Sequence, residues 1–436
     1  MPKETSLLSQ LDLAALPGPE TIRREVLPNG AVVLIRENFS SPSVVLSGYL
    51  PAGALANTAD TAGLAFMTAI AMTRGTQTRS FQQIFESLES IGARLSLHGG
   101  THTTAFQGKA LIEDLGLLLE LLADVLQNPS FPKAEFERLR AQQLTALAIR
   151  EQDTGARAQM AFDTLVYRDH PYGLSTGGYV ETISELAPSD LRRFHRDYFG
   201  PSGLVITIVG GVKAERVLDL VASTLGQWKA KQQQEMPDLP KLKPLKKSRR
   251  IEVRLEGKAQ SELVIGTAGP SRYDEDYLAA AMGNSILGRF GLMGRIGEAV
   301  RVSAGLAYYA YSAISGGPGP GPWQVVAGVN PKDENRAIEI VQKEIKRFTA
   351  RRVSEEELFE NKANFIGRLP MQLESNEGVA GAISHIERYG LGLDYYQRYQ
   401  NLIAGITREQ VLAVGKRYLD PERLAVVISG PDGGGV

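Results

Sequence analysis

Two short apolar stretches, 31–36 and 43–50, lie behind an Asn29-Gly30 turn, and their β-branched content predicts strands. The apolar spacing then lengthens to the helical one. It predicts helices at 63–73 and 81–91, two short strands at 94–98 and 101–108 that meet at Gly99-Gly100, and three helices at about 111–127, 132–151 and 154–167. The second half runs in the same order, with a strand at 261–267, helices at 274–287 and 291–302, and a strand at 306–314. Antiparallel strands followed by runs of helices predict an α+β domain of two layers, an antiparallel-rich sheet covered by helices.

The pattern occurs twice, as a pseudo-twofold repeat. Shifting the chain by 220 residues superimposes Tyr198 on Tyr418, Pro201 on Pro421 and Leu204 on Leu424, each set in a sequence of helix, tight turn and hydrophobic strand. A weaker echo links 131–136 with 353–358, each opening a long helix. The expected organisation is therefore an N-terminal arm (1–21), a first domain (22–228), a linker (229–250) and a homologous second domain (251–436). The linker carries Gln232-Gln233-Gln234, three prolines and a basic cluster without apolar periodicity, and reads as a solvated, partly extended tether.

At 436 residues the chain is long for one core, in keeping with two domains. The net charge of −1 gives no electrostatic case for nucleic acid or an anionic membrane, and no apolar run approaches the roughly 18–20 residues that span a bilayer. The absence of cysteine removes disulfides, thiolate catalysis and cysteine metal sites. The N-terminus shows no signal-peptide core, so a cytoplasmic location is expected, or a periplasmic one if a leader has been removed.

The most informative chemistry is the stretch Gly63-Leu64-Ala65-Phe66-Met67-Thr68-Ala69-Ile70-Ala71-Met72-Thr73-Arg74-Gly75-Thr76. It resembles the signature of the pitrilysin-like, mitochondrial-processing-peptidase-like metallopeptidases, roughly G-L-A-H-F-L-E-H-M-L-F-K-G-T, residue for residue in its frame. The inverted zinc motif H-x-x-E-H would fall on Phe66, Ala69 and Ile70. A hydrolytic zinc site needs two imidazoles one helical turn apart and a carboxylate to take a proton from bound water, and these three side chains supply neither. The family's third ligand is a glutamate about seventy to eighty residues on, where this chain reads Gln143-Leu144-Thr145-Ala146-Leu147-Ala148-Ile149 without an acid. The resemblance thus implies a chain with no metal of its own that does not hydrolyse peptides alone.

The resemblance covers about 23–431, including Arg24-Glu25-Val26-Leu27-Pro28-Asn29-Gly30 and His170-Pro171-Tyr172-Gly173. In the second half, Gly297-Glu298-Ala299-Val300-Arg301-Val302-Ser303-Ala304-Gly305-Leu306-Ala307-Tyr308 is similar to the family's E-L-R-E-K-R-G-L-A-Y. The family's active site is composite, with zinc in one half and an Arg and a Tyr from this motif in the other, and some bacterial members split the two jobs between two chains. The resemblance places the pair on Arg301 and Tyr308. It implies a non-catalytic subunit of a heterodimer, with zinc in a homologous partner chain and a peptide substrate; the charge and the lack of a long apolar run leave neither nucleic acid nor membrane as an expected partner. The other reading is an inert structural or peptide-binding pseudoenzyme of the same fold, as in the core subunits of a respiratory complex. From pattern alone, Arg301 also fits a helix C-terminal charge and Tyr308 an ordinary strand aromatic.

Other polar candidates are weaker. His98 and His102 flank a hairpin turn with no third ligand nearby and read as a structural pair. His170 precedes Pro171 and reads as a helix end; His195 and His385 read as surface or packing residues. Gly316-Gly317-Pro318-Gly319-Pro320-Gly321-Pro322-Trp323 reads either as a chain reversal or as a lip presenting Trp323 to a ligand. Phe290, Leu292 and Met293, set between glycines, read as core.

Overall fold

In a computed structural model, described over residues 16–230, 232–291 and 293–431, the chain forms two compact units. The first contains 16–147, Ser175–Asp238 and Leu369–Arg398; the second contains Ala148–Leu174, Leu239–Arg368 and 399–431. Most of the N-terminal arm (1–15), together with Leu292, lies outside the described residues.

The first unit holds strands β1 (Arg23–Val26), β2 (Val32–Glu37), β3 (Ser43–Leu50), β4 (Arg94–Gly99), β5 (Thr104–Leu111) and β6 (Val205–Gly210), ordered β1-β2-β6-β3-β5-β4. The second holds β7 (Arg249–Arg254), β8 (Ser261–Ala268), β9 (Ala307–Ile314), β10 (Pro322–Val329) and β11 (Ala425–Gly430), ordered β7-β11-β8-β10-β9. Without β1 the two orders coincide, so the expected tandem α+β repeat is present. Its clearest sequence echo falls on β6 and β11. Each follows a helix, Pro188–Tyr198 or Arg408–Tyr418, and inserts parallel to one neighbour and antiparallel to the other. Every residue of both strands is buried, which explains why they read as continuous apolar runs instead of alternating ones.

Each unit takes one helix from the other half of the sequence. Helix Thr154–Val166 packs on β8 and β11, where Ala158 and Phe162 join Val264, Val326 and Val427 in one buried cluster. The side chains of Gln159 and Gln324 form a reciprocal amide pair (2.6 and 3.1 Å). Helix Asn376–Arg388 packs on β3 and β6, with Ser384 Oγ 2.9 Å from Thr207 Oγ1 and Asn38 Nδ2 donating to Asn376 Oδ1 at 2.7 Å. Among the described residues no helix is long and apolar enough to cross a membrane.

The exchanged helix 154–166 carries a titratable group into the second unit. Burial pushes the Asp163 carboxyl up to about 6, opposed by the hydrogen bond it accepts from Gln159 Nε2. A carboxyl whose folded pKa lies above its unfolded value is best tolerated below about pH 4 and costs stability as pH rises through about 6. Asp163→Asn is expected to raise unfolding free energy at pH 7 by about 1–2 kcal/mol, discounted for partial solvent contact, and to give no gain at pH 4. Urea titrations at the two pH values check both arms. His170 and His195 have the opposite linkage. Burial lowers both, so they withdraw stability as pH falls below about 6.5.

Candidate functional site

The frame of the signature stretch survives because it is structural. Gly63 starts helix Leu64–Ala71 with φ +94°, and a Cβ there would lie 2.9 Å from Gly178 Cα, so both the conformation and the space demand glycine. Beyond the helix, Thr76 Oγ1 donates to the buried Asp124 at 2.6 Å. Thr78 Oγ1 and Arg79 Nη1 donate to the same carboxylate oxygen, both at 2.9 Å, and Asn128 Nδ2 donates to the other at 3.2 Å. Burial alone would raise the Asp124 carboxyl, yet these four donors hold it below its usual value. Asp124→Ala strands two hydroxyls and a guanidinium. It is expected to cost about 2–3 kcal/mol, read as a lower urea midpoint with unchanged slope.

The metal positions carry apolar side chains in or against the first unit's core. Ala69 is fully buried, while Phe66 and Ile70 are half-buried and pack on the first unit's apolar cluster, as does Leu144 from helix Lys133–Glu151. The Phe66 ring meets His98 edge-on, with centroids 5.9 Å apart at 81°. In the region expected to supply a third ligand, Gln143 Nε2 donates to Gly177 O at 2.8 Å and Leu147 is buried. The family's zinc does not fit at these positions: Phe66, Ala69 and Ile70 offer no lone pair, and no group of three His, Cys, Asp or Glu suited to a metal occurs among the described residues. His98 stands exposed on β4 opposite Ala105, with its ring against Phe66.

Arg301 and Tyr308 lie in the second unit, on either side of a tight reversal. The predicted helix at 291–302 is a short α-turn, Gly294–Gly297, that runs into a π-helical stretch, Glu298–Ser303. Such stretches are rare and often mark functional positions. Ile296 and Val300 anchor the segment in the core. Arg295 forks onto Glu357 with both contacts at 2.7 Å. Burial would raise the Glu357 carboxyl, but Arg295 and the Ser354 cap outweigh it and hold the group down at about 2. Leu306 N–H donates to Val300 O at 3.0 Å and closes a loop that leaves Arg301, Val302 and Ser303 exposed.

The strand register accounts for Tyr308. Tyr309 pairs with Gly328 and Ala307 with Val329, so Tyr308 is the extra residue of a β-bulge and is turned outward, 81% exposed. Among the described residues neither Arg301 nor Tyr308 has a hydrogen-bond or ion-pair partner. Its neighbour Tyr309 is engaged instead, donating at 2.6 Å to Glu262, whose carboxyl burial pushes up. Tyr309 and Glu262 flank Gly328, where a Cβ would come within 2.9 Å of the Tyr309 ring. This partly buried acid–phenol pair was not anticipated from sequence. A glycine inside an otherwise apolar strand is the one signal that could have pointed to it.

The Gly/Pro loop is a chain reversal, and Trp323 is no lip. Trp323 lies in β10, fully buried, with Nε1 donating to Ser312 Oγ at 3.3 Å and its ring edge-on to Phe348. The loop is pinned by Tyr167 Oη–H to Pro320 O (2.9 Å), Gly319 N–H to Tyr172 Oη (2.9 Å) and Arg272 N–H to Gly317 O (2.8 Å).

Comparison with known proteins accords with this picture. Residues 32–178 match the profile described as insulinase (peptidase family M16), and residues 185–365 match that of the peptidase M16 inactive domain. An uncharacterized zinc protease of Streptomyces coelicolor is 24% identical over 418 residues, covering 95% of this chain and 90% of that protein. Mitochondrial cytochrome b-c1 complex subunit 1 of Rattus norvegicus is 26% identical over 296 residues, covering 67% and 60%. The crystal structure of a peptidase M16 inactive domain from Pseudomonas fluorescens has the same fold, with a TM-score of 0.86 at 24% identity over 94% of this chain and 98% of that one. The chain belongs to peptidase family M16 and is a non-catalytic member of it, with apolar side chains where the family's metal ligands would stand.

Proposed function

We propose that this chain is the non-catalytic subunit of a heterodimeric zinc peptidase, and that it contributes Arg301 and Tyr308 to an active site whose metal is held by a homologous partner. The observation that carries this reading is the contrast within one segment. Arg295, Val300, Leu306 and Tyr309 are all engaged, whereas Arg301 and Tyr308 are presented unpaired by a π-helical turn and a bulge. A phenol O–H can donate to the oxyanion that develops on a peptide carbonyl under attack, and a guanidinium can fork onto backbone carbonyls and hold the peptide extended. The proposed substrates are peptides or unfolded polypeptides.

The second reading is an inert scaffold or peptide-binding subunit, favoured by the likeness to a relative named as a subunit of the cytochrome b-c1 complex. The two are separated by purifying the tagged chain from its native cells and assaying whatever co-elutes. A stoichiometric second chain, about one zinc per pair and peptide hydrolysis support the composite site; a zinc-free, inactive assembly supports the scaffold.

A further inference from the structure

The basic segment between the sequence halves is held in place in the second unit. His170 Nε2 lies 3.1 Å from Pro240 O, and Leu242 and Leu245 pack against the apolar cluster beneath helix 154–166. Further on, Ser248 N–H donates to Glu422 O at 2.8 Å, and Arg249 N–H to Leu424 O at 2.9 Å, leading directly into β7. With both leucines turned inward, Lys241, Lys243, Lys246, Lys247, Arg249 and Arg250 all stand exposed. No acid occurs from 239 to 251, in a chain whose net charge is −1. Glu252 neutralises Arg250; among the described residues no carboxylate pairs with the four lysines or with Arg249.

The ridge lies against an unfinished sheet edge. In the first sheet β1 covers the outer side of β2, but among the described residues the second sheet ends at β7 with no counterpart of β1. Beside β7 a recess of about 310 Å³ is lined by Arg249 and Arg250, the polar Ser248, Asn335 and Gln342, and a single acid, Glu339, over an apolar floor. Within β7, Glu252 meets Arg250 and Arg254, the mixed charge that guards an edge; the four lysines before the strand, with Arg249, form a single-sign array that creates a directed field.

We propose that this ridge and the β7 edge dock an acidic segment of a partner polypeptide in extended conformation, which adds as a strand to β7 while its carboxylates meet the lysines. Charge complementarity selects an acidic ligand, and the open row of backbone N–H and C=O groups selects a peptide over a lipid surface. The inference is independent of the roles of Arg301 and Tyr308.

The test uses the full chain and a fluorescein-labelled peptide of alternating Glu and Thr, followed by anisotropy. The expected result is saturable binding that weakens as salt is raised and is absent for the Lys/Thr counterpart. Lys243→Glu/Lys246→Glu/Lys247→Glu is expected to weaken binding at least about tenfold with an unchanged melting temperature. N-methylating alternate peptide amides should weaken binding to the unaltered chain as well, which tests strand addition without any variant. Failure to bind the acidic peptide, indifference to the charge reversals or to N-methylation, or stronger binding to phosphatidylserine vesicles than to the peptide overturns the proposal.

Discussion

Tyr308→Phe, assayed with a zinc-bearing partner chain, is expected to lower kcat/KM for peptide hydrolysis by about two to three orders of magnitude, equivalent to about 2.7–4 kcal/mol of lost transition-state stabilisation. The substitution removes one hydroxyl and leaves the ring. Because Tyr308 is exposed and unpartnered, neither the melting temperature nor assembly with the partner should change. The loss should fall mainly on kcat, since the developing oxyanion exists only in the transition state. Arg301→Lys should act differently, raising KM more than it lowers kcat, because a point charge replaces the planar fork that, in the proposed composite site, would grip the substrate backbone. Turnover unchanged in Tyr308→Phe, with the partner present, would remove the composite site and leave the scaffold reading.

The largest effect on stability is expected from Trp323→Ala, about 3–5 kcal/mol for truncating a fully buried aromatic. The indole fills the space beside Phe348 and against Gly283, in a densely packed core where the surroundings relax only partly into a void. Its loss also takes a donor from the buried Ser312 hydroxyl, which itself donates to Asn284 Oδ1 at 2.7 Å. Trp323→Phe keeps most of the volume and should cost about half as much. The chain has two tryptophans, and Trp228 belongs to the first unit. In Trp323→Ala, Trp228 fluorescence therefore follows the first unit alone, while far-ultraviolet circular dichroism follows the loss of structure overall. Coincidence of the mutant's midpoint with that of the unaltered chain would show that Trp323 is not the packing anchor described above.

Most of the architecture was legible in the pattern of apolar positions because its elements are long and locally determined. The helices at 81–91 and 154–167 and the strand at 43–50 fall within a residue or so of Phe81–Ser90, Thr154–Val166 and Ser43–Leu50. The Ser80 and Asp153 caps fix the two helix starts within the chain itself. The short edge strand β1, and β7 at the end of an apparent tether, carry too little alternation to be recognised. Trp323 was readable as a loop residue only because Gly and Pro crowd the residues before it; the ladder with β8 and β9 is what makes 322–329 a strand.

By itself the sequence determined the family frame, the repeat and the loss of metal chemistry, because each depends on which atoms a side chain possesses. Phe66, Ala69 and Ile70 lack ligand atoms in any conformation. Only the tertiary structure decided which sheet each exchanged helix covers, because an amphipathic stripe specifies that a face is buried but not against what. The same holds for the two tyrosines at 308 and 309. They are chemically identical, yet a one-residue slip in the strand register turns the first outward and carries the second across Gly328 to Glu262. Pairing register is set by long-range contacts across the sheet, and no local pattern at those two positions encodes it.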